Sequence, residues 1–344
     1  MGFLSGSLTF SRYEIVEDPT GEFGDRHFSI LDENAIGTNE NVDLLTETDK
    51  GFTGGDHVFD TDFRFEKNIV GQTLHFGIRE DSVSIPSSIK RAWTKMELAG
   101  IMKDNLGGRP TKTQKAEAEE AVEQRCAAEA AKGNFKRRKV TSVLWDAATN
   151  VLFLASNSEK NNESCLGFME SKFGLLFRQL TPTQLVNNYC EDDTEAFENL
   201  QSVNTMAYVE QGGADVTWWN GMSENFDYLG NEFLLWLWWR WDTQSTVIDL
   251  SDETDLSGMF TKTLTLDCPL GESGKETISS ISPVALPEAM MAIRMGKLPR
   301  KAGLRITRDG EEFEFTIQAE TFGVGAGRIV NAAESCLLYT SPSP

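Results

Sequence analysis

Residues 135–139, Phe-Lys-Arg-Arg-Lys, set four consecutive cations behind one aromatic ring. Ammonium and guanidinium groups crowded this closely suit phosphate, because each phosphate they neutralise releases condensed counterions. Such contacts hold a protein on a nucleic-acid backbone without reading its sequence. Phe135 adds an apolar group able to wedge against bases or against a partner subunit. The candidate DNA contacts are therefore Phe135, Lys136, Arg137, Arg138 and Lys139. Lys90, Arg91 and Lys95 at a helix entry, and Arg109, Lys112 and Lys115 around a turn, form a second rank.

Other groupings carry weaker chemistry. Glu191-Asp-Asp193 has the side chains of a Mg²⁺ site for phosphodiester cleavage. Neighbours in one polar stretch rarely converge on a metal, so the plain reading is a solvated loop. Gly271-Glu-Ser-Gly-Lys275 lacks the spacing of a phosphate loop and the hydroxyl residue after its lysine. Gly323-Val-Gly-Ala-Gly327 is not a dinucleotide fingerprint and reads as a strand bend or loop. His27, His57 and His75 form no i, i+4 pair, and no Gly-x-Ser-x-Gly elbow is present. No catalytic residue, metal site or cofactor is expected, and the chain is not read as an enzyme.

The elements that position the basic residues follow from periodicity. Thr73–Arg79 alternates as a strand. Pro86 stands at a helix start with Ser84 as its cap, and residues 87–103 carry a helical period. Gly107–Pro110 breaks that helix, and residues 112–131, rich in Ala, Glu, Lys and Gln, form the next. Val140–Trp145 and Val151–Ala155 read as a β-hairpin. The basic segment 86–139 is thus a helical pair projecting from a sheet, with Phe135 and its cations as the tip.

Elsewhere, residues 3–16 suggest an opening strand, His27–Leu31 a helix, and Phe59, Phe63 and Phe65 a strand. Residues 159–177 read as helix, and Leu185–Asn188 opens a polar stretch. Residues 226–241, with Trp236, Trp238, Trp239 and Trp241, form an aromatic helix for a core or a protein interface. Strands follow at 246–250, 260–266, 303–307 and 313–320, with a helix at 283–295. The fold class is α+β, with mixed or antiparallel sheets and a helical finger.

The chain has 344 residues and a net charge of -21, which at first argues against nucleic acid. The charge is unevenly spread: -11 over residues 1–85, +6 over 86–139, -17 over 140–290 and +1 over 291–344. Hydrophobic residues at 40% allow a buried core. No apolar run approaches the roughly 18 residues of a membrane span. The N-terminus has no signal-peptide pattern, so the chain is read as cytoplasmic. Residues 336–344, Cys-Leu-Leu-Tyr-Thr-Ser-Pro-Ser-Pro, are read as translated sequencing adapter rather than native protein. The other cysteines, Cys126, Cys165, Cys190 and Cys268, have no CxxC spacing and read as reduced thiols.

At these residues the sequence resembles the bacterial recombination-associated RdgC family. The similar features are Met1-Gly-Phe-Leu with Phe10-Ser-Arg-Tyr, Ile85-Pro-Ser-Ser-Ile-Lys, Phe135-Lys-Arg, and the hairpin Leu144-Trp-Asp with Asn150-Val-Leu-Phe-Leu. Met295-Gly-Lys and Gly303-Leu-Arg-Ile resemble the family's late strands. The likeness spreads over most of residues 1–330, with the Trp-rich region as an insertion and the family's C-terminal helix cut off. It implies a homodimer closed into a ring that encircles single- or double-stranded DNA non-specifically, associated with the nucleoid. Such a protein limits RecA-promoted strand exchange by occupying DNA. Carried over by position, Phe135 and Arg137 lie at the finger that closes or lines the ring. Gly133-Asn134 replaces the family's Arg-Ala, and Arg138 and Lys139 are extra cations.

The expected segments are an N-terminal α+β domain (1–85), the basic finger (86–139), a central acidic domain (140–290) and C-terminal strands (291–335). Two rival functions stand beside DNA binding: a metal-dependent exonuclease using acidic-domain carboxylates, and a protein-interaction module.

Overall fold

A computed structural model describes residues 3, 6–16, 21–38, 48–102, 109–191, 193–202, 226–268, 274–283 and 287–330. The chain divides into two units: residues 23–142, and residues 1–22 joined by 143–344. Segments 23–85 and 86–139, separate in the sequence reading, fall in one unit.

The chain begins in the first unit with β1 (Leu8–Ile15). It then builds the second unit from α1 (Asp25–Glu33), β2 (Asp49–Thr53), α2 (Phe65–Asn68), β3 (Ile69–Val70) and β4 (Thr73–Val83). β2 and β3 both pair antiparallel with β4. Two helices follow, α3 (Ser87–Ile101) and α4 (Lys112–Ala131), packed on each other. Strand β5 (Lys136–Asp146) adjoins β4.

Local chemistry explains the helical pair. Pro86, at φ -56° and ψ 137°, occupies the N-cap position of α3 with no side-chain cap, so the cap expected from Ser84 is not formed. The chain geometry at proline starts this helix instead. Thr111 and Gln114 form a reciprocal capping box at α4, with bonds of 3.3 and 3.0 Å.

The strand expected from Phe59, Phe63 and Phe65 is absent: Phe59 lies in a turn and Phe65 opens α2. The Asp60 carboxylate accepts from the backbone N–H groups of Asp56 and Asp62 and from Lys67 Nζ. These local bonds hold the backbone in a loop rather than a ladder.

The first unit continues with β6 (Val151–Leu154), α5 (Glu159–Phe173), β7 (Phe177–Gln179), α6 (Pro182–Cys190), α7 (Thr194–Ser202), α8 (Tyr228–Thr243), β8 (Val247–Asp249), β9 (Asp255–Asp267) and β10 (Glu276–Pro283). It closes with α9 (Pro287–Arg294), β11 (Leu298–Arg308), β12 (Glu311–Gln318) and β13 (Val324–Ile329). Its strands form a large antiparallel sheet in the order β10-β9-β11-β12-β13-β1-β6. The fold is α+β.

Two sequence expectations change here. The helix read over 159–177 ends at Phe173, because Gly174 adopts the left-handed conformation and β7 follows. The polar stretch from Leu185 is helical, started by the Thr181 cap with Pro182 at the first position. The strand bend read at Gly323–Gly327 agrees with β13, which starts at Val324 and whose pairings with β1 and β12 both contain register shifts.

The core of this unit buries Leu234, Leu235, Leu237, Trp238 and Trp241 of α8 against Phe260, Leu264, Leu298 and Leu304. Gly230 allows the helix to come close: a Cβ there would stand 1.9 Å from the Ala319 carbonyl oxygen. The opposite side of α8 shows Phe233, Trp236 and Trp239, each more than two-fifths exposed.

Candidate nucleic-acid interface

The two ends of the helical pair meet at its base. The Ser84 N–H donates to the Phe135 carbonyl at 3.2 Å, where β4 ends and β5 is about to begin. Ile85, Val122 and Cys126 are buried there, with Val83, Ile89, Trp93 and Phe135 packed around them. The Trp93 and Phe135 rings meet edge to face, 6.2 Å apart. Phe135 takes a positive φ of 61°, which turns the chain from α4 into the strand.

This corrects the expectation of an aromatic tip. Phe135 is half-buried at the base of the pair, and its ring is engaged with Trp93. Residues 103–108, which include Gly107 and Gly108 of the expected break, lie outside the described residues.

The four cations after Phe135 also do not act as one block. A strand sends successive side chains to opposite faces. Lys136 and Arg138 turn toward Asp81, with Lys136 Nζ at 2.9 Å and Arg138 Nε at 3.9 Å. Arg79 reaches the same carboxylate at 2.5 Å. Arg137 and Lys139 occupy the alternate positions and are exposed.

Asp81 is almost fully buried. Burial alone would raise its pKa, but hydrogen bonds from Arg79 and Lys136 outweigh it and the net direction is down. Asp49, paired with Asp81 across β2 and β4, moves the other way, pushed up first by burial and then by the Asp81 charge. Asp81 therefore stays ionised and anchors Arg79 of β4 and Lys136 of β5, with Arg138 at the edge of its reach.

The second-rank cations are all on the surface. Lys90, Arg91 and Lys95 are exposed on α3, Arg109 precedes α4, and Lys112 and Lys115 stand in its first turn. Neither helix has an acidic residue in its first turn. Cations at a helix N-terminus oppose the macrodipole, so their placement costs stability and concentrates positive potential. Among the described residues, Lys90, Arg91, Lys95, Arg109, Lys112, Lys115 and Arg137 join no ion pair. Arg91 instead bonds the Ser87 carbonyl and hydroxyl within its own helix.

Six cations of the first unit are held in ion pairs. Lys262, Arg305 and Arg328 surround Glu314, Lys297 pairs with Glu276 at 2.6 Å, and Arg300 with Glu320 at 2.7 Å. Arg308 pairs with Asp252. These six cations are neutralised locally.

Sequence reasoning missed Phe59, Arg79 and Asp81. Arg79 and Arg138 both lie over the Phe59 ring, at 5.4 and 5.1 Å from its centroid. These residues stand outside the basic segment, and only the pairing of β5 with β4 brings them to it. The strand pattern of 73–79 places Arg79 in β4 but gives no sign of its partner.

The carboxylate candidates do not converge. Asp193 caps α7 by accepting from the Ala196 N–H at 3.0 Å, and Asp192 lies outside the described residues. Glu191 lines a cleft of about 720 Å³ with Glu14, Arg178, Gln184 and Asn188. Among the described residues no three His, Cys, Asp or Glu side chains come together as a metal-binding group. No described helix is long and apolar enough to cross a membrane. A scan of protein-family models and a search of curated proteins found no match to the chain.

Proposed function

We propose that this chain binds DNA through the phosphate backbone, without sequence preference, using the cations of α3, α4 and the start of β5. The observation that carries this reading is a cluster of cations. Among the described residues, Lys90, Arg91, Lys95, Arg109, Lys112, Lys115 and Arg137 are exposed and join no ion pair, within a segment of net charge +6 in a chain of net charge -21. Uncompensated lysines and arginines on two adjacent helices supply counterion release and carry no base readout. The acidic bulk of the chain repels phosphate elsewhere and confines binding to this surface.

The resemblance to the RdgC family extends the proposal. On that view the chain forms a homodimeric ring around DNA and restrains RecA-promoted strand exchange by occupancy, as a cytoplasmic, nucleoid-associated protein. No chemical step is assigned to it.

The test is DNA affinity for duplexes of unrelated sequence, measured across salt concentration. Similar affinities that fall steeply with salt support the proposal; sequence-dependent binding, or no binding at low salt, overturns it. EDTA-sensitive cleavage of the DNA in Mg²⁺ would favour the nuclease instead. Retention of a protein partner by the exposed Phe233, Trp236 and Trp239 surface, with no DNA bound, would favour an interaction module.

A further inference from the structure

Phe59 is a large apolar side chain that the phosphate-binding surface does not use. It is 61% exposed, in the turn between β2 and α2. A single exposed phenylalanine is ordinary in itself. Its surroundings are not: two guanidinium groups lie against the ring, Arg79 at 5.4 Å and Arg138 at 5.1 Å. Both arginines also reach for one carboxylate, Asp81. Both guanidinium groups belong to one cluster around Asp81, and with the residue 61% exposed much of the ring stays open to solvent.

The turn holding the ring is fixed. Arg79 Nη1 donates to the carbonyl of Val58 at 2.9 Å. The Phe59 N–H donates to His57 Nδ1 at 3.2 Å, and the Gly54 N–H to the Asp60 carbonyl at 2.9 Å. Lys67 Nζ bonds the Asp60 carboxylate at 2.6 Å. An exposed aromatic ring is thus held in one orientation, in contact with two guanidinium groups and beside a strand that carries exposed Arg137 and Lys139. Arg138 is only loosely held by Asp81 and is 36% exposed, so it can turn to an incoming anion.

We infer that Phe59 is a stacking platform for an unpaired nucleobase, with Arg138 taking the adjoining phosphate. The inference rests on the DNA-binding reading above and adds a preference to it. An aromatic face accepts any base, so the contact carries no sequence demand. Bases inside a duplex are stacked on their neighbours and do not offer a face. The platform therefore favours single-stranded over double-stranded DNA. Charge decides for nucleic acid over an aromatic side chain of a protein partner, because the cations against and beside the ring match a ligand that brings phosphate.

The experiment uses the full chain with a thymine-rich single strand and a duplex of equal length, each at low salt. Phe59→Ala is expected to lower single-strand affinity about tenfold and to leave duplex affinity within about twofold. Phe59→Tyr retains the single-strand affinity; Phe59→Leu, which keeps apolar bulk without a π face, behaves like the alanine variant. Quenching of a 2-aminopurine base in the single strand is expected on binding and is lost with Phe59→Ala. The salt dependence stays unchanged in all three variants, since no cation is removed. Unchanged single-strand affinity, or equal losses on both DNA forms, overturns the inference while leaving the phosphate-binding reading standing. Failure of the unaltered chain to bind either DNA overturns both. Capture of a protein through an intact Phe59, with single-strand affinity indifferent to the ring, also overturns it.

Discussion

The Ser84 N–H and the Phe135 carbonyl are joined by a 3.2 Å hydrogen bond, so the helical pair leaves and re-enters its unit at one point. Among the described residues the root of this excursion is apolar, and exposed cations stand on α3, at Arg109 and in the first turn of α4. On the proposed reading the root is a stability element and those cations are the binding element. Substitutions should therefore separate the two.

Phe135→Ala removes a half-buried ring from the cluster with Trp93, Val122 and Cys126. Full loss of a buried phenylalanine costs about 3–5 kcal/mol, and partial exposure brings this to about 1–2 kcal/mol. The expected outcome is a lower urea midpoint with the salt dependence of DNA binding unchanged. A changed salt dependence with unaltered stability would return Phe135 to the binding surface.

Asp81→Asn leaves Arg79 buried, and Lys136 half-buried, without their anion. Breaking such a pair from one side costs about 3 kcal/mol. The folded pKa of Asp81 lies below its ordinary value. Its stabilisation is therefore complete above the unfolded carboxylate range near pH 4 and is lost as the pH falls through the folded value. Urea unfolding of the unaltered chain and of Asp81→Asn should differ at neutral pH and converge in acid.

Glu314 makes a sharper case in the first unit. Burial alone would raise its pKa, but bonds from Lys262 and Arg328 outweigh it and hold it at about 2. The unfolded value is about 4.3, so the stabilisation is present above that pH and disappears toward pH 2. Its partners are half-exposed, and screening reduces the contribution to about 2 kcal/mol. Glu314→Gln should lower the unfolding midpoint near pH 6 and flatten its acid dependence between about pH 4.5 and pH 2.

Much of this arrangement is legible in the sequence where the signal is local. The composition of 112–131 places α4 at Lys112–Ala131, and the apolar runs around Asp146–Asn150 give the hairpin of β5 and β6. The aromatic helix lies at Tyr228–Thr243, with Trp238 and Trp241 buried as a core helix requires. What depends on partners is not legible. Asp49–Thr53 is short and mixed in polarity, and becomes a strand only through β4. Residues 136–139 look like one cationic block, yet strand alternation and the distant Asp81 divide them. Phe135 reads as an exposed wedge because nothing near it in sequence reveals Trp93 as its neighbour.

The most direct measurement is the slope of log affinity against log salt for DNA binding, in the unaltered chain and in the triple variant Lys95→Gln, Lys112→Gln, Lys115→Gln. These three side chains are exposed and join no described ion pair, so their loss leaves the fold intact. Each phosphate contact contributes about -0.9 to the slope on duplex DNA. The account predicts a steep negative slope for the unaltered chain and one shallower by about 2 to 3 for the variant. An identical slope in the two proteins would contradict it.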